Sequence, residues 1–226
     1  MANKKSLFLL ALLIILVVAG FGIYLLTTKK KSTQGQPERP SEATTAGTTT
    51  ENETQEDLSN IDPTSVDSAI KKNLDLATQK ALEWRQDAVL VYVQVKLTSL
   101  EPNTGTETYV FDSPSVPNLH FTFTISQQSK RFIRAVIPVE DYLGSGLLPI
   151  DQKYWKLNYV SALQTAEKEG GKDFRDKYLN WTIELNLNRG EPKNWLYWTV
   201  DYKIEGGETL SVKINPYSGE VVKEGG

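Results

Sequence analysis

Residues 181–214 read WTIELNLNRGEPKNWLYWTVDYKIEGGETLSVKI, and the period of this stretch decides the fold class. Trp181, Ile183, Leu185 and Leu187 alternate with Thr182, Glu184, Asn186 and Asn188, which is the pattern of a half-buried strand. Leu196, Trp198, Val200, Tyr202 and Ile204 repeat it, Glu205-Gly206-Gly207 supplies a hairpin turn, and Leu210, Val212 and Ile214 make a third strand. Asn215-Pro216-Tyr217-Ser218-Gly219 then reads as a tight turn before a terminal strand, Glu220–Val222.

Upstream of these strands the period lengthens. Asn158 is the expected cap of a helix with Val160, Leu163 and Ala166 along one face, and Gly170-Gly171 is expected to end it, because glycine tolerates the left-handed conformation. The same order occurs earlier in the chain. Asp62 and Pro63 open a helix with Thr64 or Ser65 as cap, and Ile70, Leu74, Ala77, Ala81 and Trp84 fall on one face. Val89, Val91, Val93, Val95 and Leu97 alternate as one face of a strand; Glu101–Gly105 is a turn and Thr106–Phe111 a second strand. Leu119, Phe121, Phe123 and Ile125 make a third strand, and Arg131–Val139 a fourth. Helix then antiparallel strands, twice over, gives an α+β fold of two related units, 61–143 and 144–226.

The second unit, about residues 156–222, resembles the PepSY-like domain family. The resemblance rests on Asn158-Tyr-Val-Ser-Ala-Leu-Gln-Thr-Ala-Glu-Lys-Glu-Gly-Gly171, the tryptophan strand at Trp195–Trp198, and Leu210-Ser-Val-Lys-Ile-Asn-Pro-Tyr-Ser-Gly-Glu-Val-Val222. Asn215, Ser218 and Gly219 match the family's closing turn, and the first unit shares only the element order. The resemblance implies a PepSY/cystatin-like helix packed on an antiparallel sheet. It also implies an exported or membrane-bound bacterial protein, with a role in binding peptides or restraining peptidases.

The amino-terminal part gives an address. Leu7–Leu26 is an unbroken uncharged, mostly apolar run with lysines at both ends, about 20 residues long and so matched to a ~30 Å hydrocarbon core. It exceeds a signal-peptide core and ends in Lys29, Lys30 and Lys31 without a cleavage site, so a retained single-pass transmembrane helix within residues 1–31 is expected, with the lipid bilayer as partner. Residues 32–60, rich in Ser, Thr and Glu, read as a disordered stalk. The lysine count is nearly tied across the run, and the stalk breaks the tie toward a cytoplasmic amino terminus and an extracytoplasmic domain at the bacterial envelope.

Charge and cysteine content narrow the chemistry. The formal net charge is −3, and the five lysines of residues 1–31, with no acid among them, leave −8 for the rest, which argues against nucleic acid as a partner. With no cysteine there is no disulfide, thiolate metal site or thiol catalysis. His120, the sole histidine, reads as a partly exposed residue on the polar face of its strand, with no nucleophile or carboxylate in sequence to complete a catalytic group. Glu167, Glu169 and Asp173 read as a solvated face, and neither a metal site nor a cofactor is expected.

Aromatic residues are the remaining signal. Trp195 and Tyr197 should leave their strand on the side opposite Trp198 and Tyr202, and Tyr154 and Trp155 precede the second helix. Tyr154, Trp155, Trp195 and Tyr197 are therefore the ligand-binding candidates if helices cover only one face of the sheet; packing of the two units on each other would instead bury them. The expected function is a membrane-anchored, non-catalytic binding module for peptides or an envelope protein. A structural docking subunit of a membrane complex and a carboxylate-dependent hydrolase are the alternatives.

Overall fold

The computed structural model describes residues 63–100, 104–191 and 193–222, all within one unit, Glu53–Gly226. Helix α1 spans Pro63–Trp84 and is followed by strands β1 (Val89–Leu97), β2 (Thr106–Asp112), β3 (Leu119–Ser126) and β4 (Phe132–Pro138). After single turns at Val139–Asp141 and Gln152–Tyr154 come α2 (Tyr159–Ala166), a wide turn at Glu167–Gly171 and α3 (Lys172–Lys177). Strands β5 (Trp181–Gly190), β6 (Trp195–Ile204) and β7 (Thr209–Ile214) complete the fold. The chain is α+β, with a seven-stranded antiparallel sheet ordered β4-β3-β2-β1-β5-β6-β7. Among the described residues no helix is long and apolar enough to cross a membrane; the run Leu7–Leu26 and the stalk 32–60 lie outside those residues.

The two helix-and-strand sets meet at the sheet's centre, where β1 pairs with β5 from Val93↔Leu187 to Leu97↔Ile183. One apolar core lies under the helices and takes residues from both sets, including Ile70, Leu74, Phe121, Phe123, Leu163, Leu185, Trp198 and Tyr202. In α1, Val66, Ile70, Leu74, Ala77 and Ala81 recur every three or four residues and are buried, and the two alanines let the helix approach the strands closely. Each large side chain buried there contributes roughly 1.5–3 kcal/mol of transfer free energy.

Several local expectations change. Helix α1 begins at Pro63, so Thr64 and Ser65 lie in its first turn and are not caps; proline suits that position because its missing N–H has no partner there anyway. In β1 the register shifts between Leu90 and Tyr92, and this bulge sends Val89 and Val91 to the sheet face opposite Val93, Val95 and Leu97. There Val91, Tyr92 and Val110 pack with Leu143 and Leu147 from the connection after β4.

Asn158 caps α2 as expected, its side chain accepting from the Ser161 N–H at 2.8 Å. The glycine pair ends the helix as expected: Gly170 takes φ +110°, which breaks the helical path, and a separate short helix, α3, starts beyond it. Gly171 is also required by packing, since a Cβ there would overlap the Tyr202 hydroxyl and lie 2.9 Å from the Ala166 carbonyl oxygen.

At the carboxyl end the Asn215–Gly219 turn forms. The Asn215 side chain accepts from the N–H groups of Tyr217 (2.9 Å) and Ser218 (3.3 Å), the Gly219 N–H donates to the Asn215 carbonyl (2.8 Å), and Gly219 takes φ +79°. Beyond it, Glu220–Val222 forms only a single bridge, Ile214↔Val221, rather than a full strand.

Candidate functional site

The four aromatic candidates do not converge. Trp155 meets Trp198 edge-on (6.0 Å, 73°), and both indole N–H groups donate to the Leu157 carbonyl, at 3.0 and 2.9 Å. Tyr154 is exposed beneath the Lys153 ammonium, 4.7 Å from its ring centroid. Trp195 and Tyr197 leave β6 on the face away from the helices; Trp195 is 55 % exposed under Lys193, whereas Tyr197 is 3 % exposed. Asn215, Ser218 and Gly219 form the closing turn described above.

The sheet face bearing Trp195 is largely a self-paired polar surface. Tyr92 and Gln94 both donate to Asn186 Oδ1 (2.6 and 3.1 Å), Thr108 and Thr124 share a hydrogen bond (2.9 Å), and Glu184 takes Lys203 and Lys96 at 2.5 and 3.3 Å. Burial works against the Glu184 charge, but the lysines prevail and hold its carboxyl below the usual range.

His120 differs from the sequence expectation. It is fully buried, with Nδ1 2.5 Å from Asp112 Oδ1 and Nε2 3.3 Å from the Gly144 carbonyl oxygen. The orienting carboxylate comes from the paired residue on β2, and the Gly144 connection covers the ring. Both nitrogens of the buried ring face acceptor oxygens, so the histidine fastens that connection to the sheet. Glu167 also departs from its expected solvated state: it accepts from Tyr202 (2.8 Å) and from Arg175 (3.1 and 2.5 Å), joining α3 to β6, while Glu169 and Asp173 are exposed. Among the described residues no three His, Asp or Glu side chains converge as metal ligands.

The site that sequence reasoning missed is the outer edge of β4. Ser126 N–H donates to the Arg131 carbonyl (2.9 Å) and Val139 N–H to the Asn118 carbonyl (3.1 Å). The antiparallel register between these bonds turns the main-chain groups of residues 133, 135 and 137 toward β3, and those of Phe132, Arg134 and Val136 out of the sheet. Among the described residues no strand pairs with that side. At the opposite end of the sheet, β7 is partly covered, because Asn215 N–H donates to the Glu220 carbonyl (2.9 Å) and Val222 N–H to the Lys213 carbonyl (2.8 Å).

Side chains make this edge unusual. Ile133 is 73 % exposed and Val136 47 %, although exposed strand edges are ordinarily protected by charges, bulges or covering loops. On the helix side Phe132 stacks on Phe123 (4.8 Å) and Trp84 on Phe121 (5.6 Å). Lys80, Glu83 and Trp84 of α1 face Phe121, Arg134 and Val136 across a groove of about 310 Å³ that runs beside the edge. The signal in the sequence was FIRAVIP at 132–138, apolar on both faces of a strand that ends in proline. Only the strand order reveals it as an edge.

No family model matches the chain, and comparison with the curated proteins and with the solved structures finds no match either.

Proposed function

We propose that this protein is a membrane-anchored, extracytoplasmic, non-catalytic binding module of PepSY/cystatin-like type, and that it takes an extended polypeptide by strand addition at β4. The transmembrane run Leu7–Leu26 and the stalk carry the anchoring part of the reading. The closing turn at Asn215–Gly219, with its left-handed glycine, supports the family resemblance. The binding part rests on one observation: the outward main-chain groups of Phe132, Arg134 and Val136 lie beside exposed Ile133 and Val136 and an aromatic-floored groove. Burial of His120 and engagement of both its nitrogens favour a binding role over catalysis.

Magnitudes fit recognition of moderate strength. Each main-chain hydrogen bond is worth a net ~0.5–1.5 kcal/mol, so an added strand using the outward groups gains several kcal/mol before its own ordering is charged against it. Burial of Ile133 and Val136 adds to that sum. The test is Val136→Pro. It removes an outward donor without removing a bond to β3, and proline is accepted on edge strands. Extended nine-residue peptides from an arrayed library that bind the full-length chain should lose about tenfold or more in affinity, as expected when a donor and its geometry are lost. Peptides that bind the parent and the proline variant equally would refute strand addition.

A further inference from the structure

We propose that the segment taken at β4 is acidic, with carboxylates and apolar residues alternating along it. This rests on the strand-addition reading and adds the chemistry of the occupant. Beyond residue 31 the chain is strongly acidic, yet cations gather at this edge. Lys130 and Arg131 form the exposed turn that leads into β4, and among the described residues neither enters an ion pair. Arg134 stands exposed in mid-strand, and it shares a single carboxylate, Glu83, with Lys80, at 3.7 and 2.6 Å. Arg85 lies over the Trp84 ring, 5.8 Å from its centroid. Of the groove's lining residues Lys80 and Arg134 are cationic and Glu83 is acidic, while Lys130 and Arg131 add positive charge at the strand's entry; Glu140 and Asp141 follow beyond its far end.

The alternation of strand side chains turns this charge into a pattern. Residues of an added strand that fall on the helix side would face Lys80 and Arg134, and those on the other side would lie against Ile133 and Ala135. The first set calls for carboxylates and the second for apolar groups. A second copy of this chain fits poorly, because the antiparallel register that pairs all three outward residues, 132 with 136 and 134 with 134, would set Arg134 of one copy directly against Arg134 of the other, and like charges across strands repel.

The experiment uses the full-length chain in detergent micelles and two labelled nine-residue peptides, one alternating Val with Glu and its counterpart alternating Val with Lys. The Glu peptide should bind about tenfold or more tightly than the Lys peptide at low salt, with the preference shrinking as salt is raised. The double variant Arg131→Glu/Arg134→Glu should reverse the preference. The comparison on the parent chain needs no variant, so a misfolded variant does not decide the outcome. Equal binding of both peptides, abolished by Val136→Pro, would remove the acidic specificity and leave strand addition standing. A Glu preference unchanged by Val136→Pro would remove strand addition itself. A concentration-dependent dimer of the parent that Val136→Pro abolishes would make the occupant a second copy and overturn the proposal.

Discussion

Glu107→Gln changes one atom and should cost about 2–4 kcal/mol, because the carboxylate joins three donors, two of them buried, that no amide can serve together. Glu107 is 3 % exposed. Its Oε2 accepts from Asn73 Nδ2 (2.9 Å) and the Tyr109 hydroxyl (2.6 Å), and its Oε1 accepts from Gln127 Nε2 (2.6 Å). A glutamine at 107 can keep its oxygen toward Asn73 and Tyr109, which sets its NH2 against the Gln127 NH2. Flipping Gln127 does not help, because its Oε1 accepts the Gly105 N–H at 3.1 Å, and the clash would simply move there. One buried donor is left unpaired either way, at roughly 1–3 kcal/mol, and a charge-assisted bond is lost as well. Urea melts should therefore move by roughly 1–2 M. The exchange Glu107→Gln/Gln127→Glu should restore most of the loss. Its new carboxylate can accept from Gly105, from the amide at 107 and from Tyr159, whose oxygen now lies 3.1 Å from Gln127 Nε2. A single variant within about 0.5 kcal/mol of the parent, or a double variant no better than the single, would refute this account of the network.

Gly219→Val should destabilise the fold by on the order of 1–2 kcal/mol, read by thermal melts, because the residue sits at φ +79° and a Cβ would lie 3.2 Å from Leu157. Alkaline stability should fall from about pH 10 upward. Burial, with the Glu107 charge second, pushes the Tyr159 hydroxyl up to about 12, and burial likewise raises Tyr92, Tyr109 and Tyr202. The folded chain thus keeps protons that the unfolded chain releases, and each tyrosine removes up to about 1.4 kcal/mol per pH unit above its unfolded value. Tyrosinate absorbance from these four should appear together with loss of structure; earlier titration would count against their burial. Protease added to intact cells should cut within residues 32–60 and release the domain, and cleavage only after lysis would mean the opposite orientation.

Much of the fold was legible because its signals are local. Alternation at 181–188 and 196–204 gave strands whose inward residues, Ile183, Leu185, Leu187, Trp198 and Tyr202, are all buried, and the spacing of Ile70, Leu74, Ala77 and Ala81 gave the buried stripe of α1. Asn158 announced its cap, and Asn215 to Gly219 their turn. Local reading failed where an outcome depended on distant chain. Val91 changed face through a bulge against β2, His120 was buried by Asp112 and the Gly144 connection, and Gly171 answered to Tyr202, some thirty residues away.

By itself the sequence determined the two longer helices and the seven strands of the sheet, the α+β class and the turn chemistry, because side-chain period and the special φ of glycine act over a few residues. Tertiary structure decided that β1 and β5 join both strand sets into one sheet over one core, and so which strands are left at its ends. Apolar alternation says that a strand has a face to bury but not which strand its main-chain groups will meet. The open edge of β4 follows from that pairing, which only the folded chain fixes.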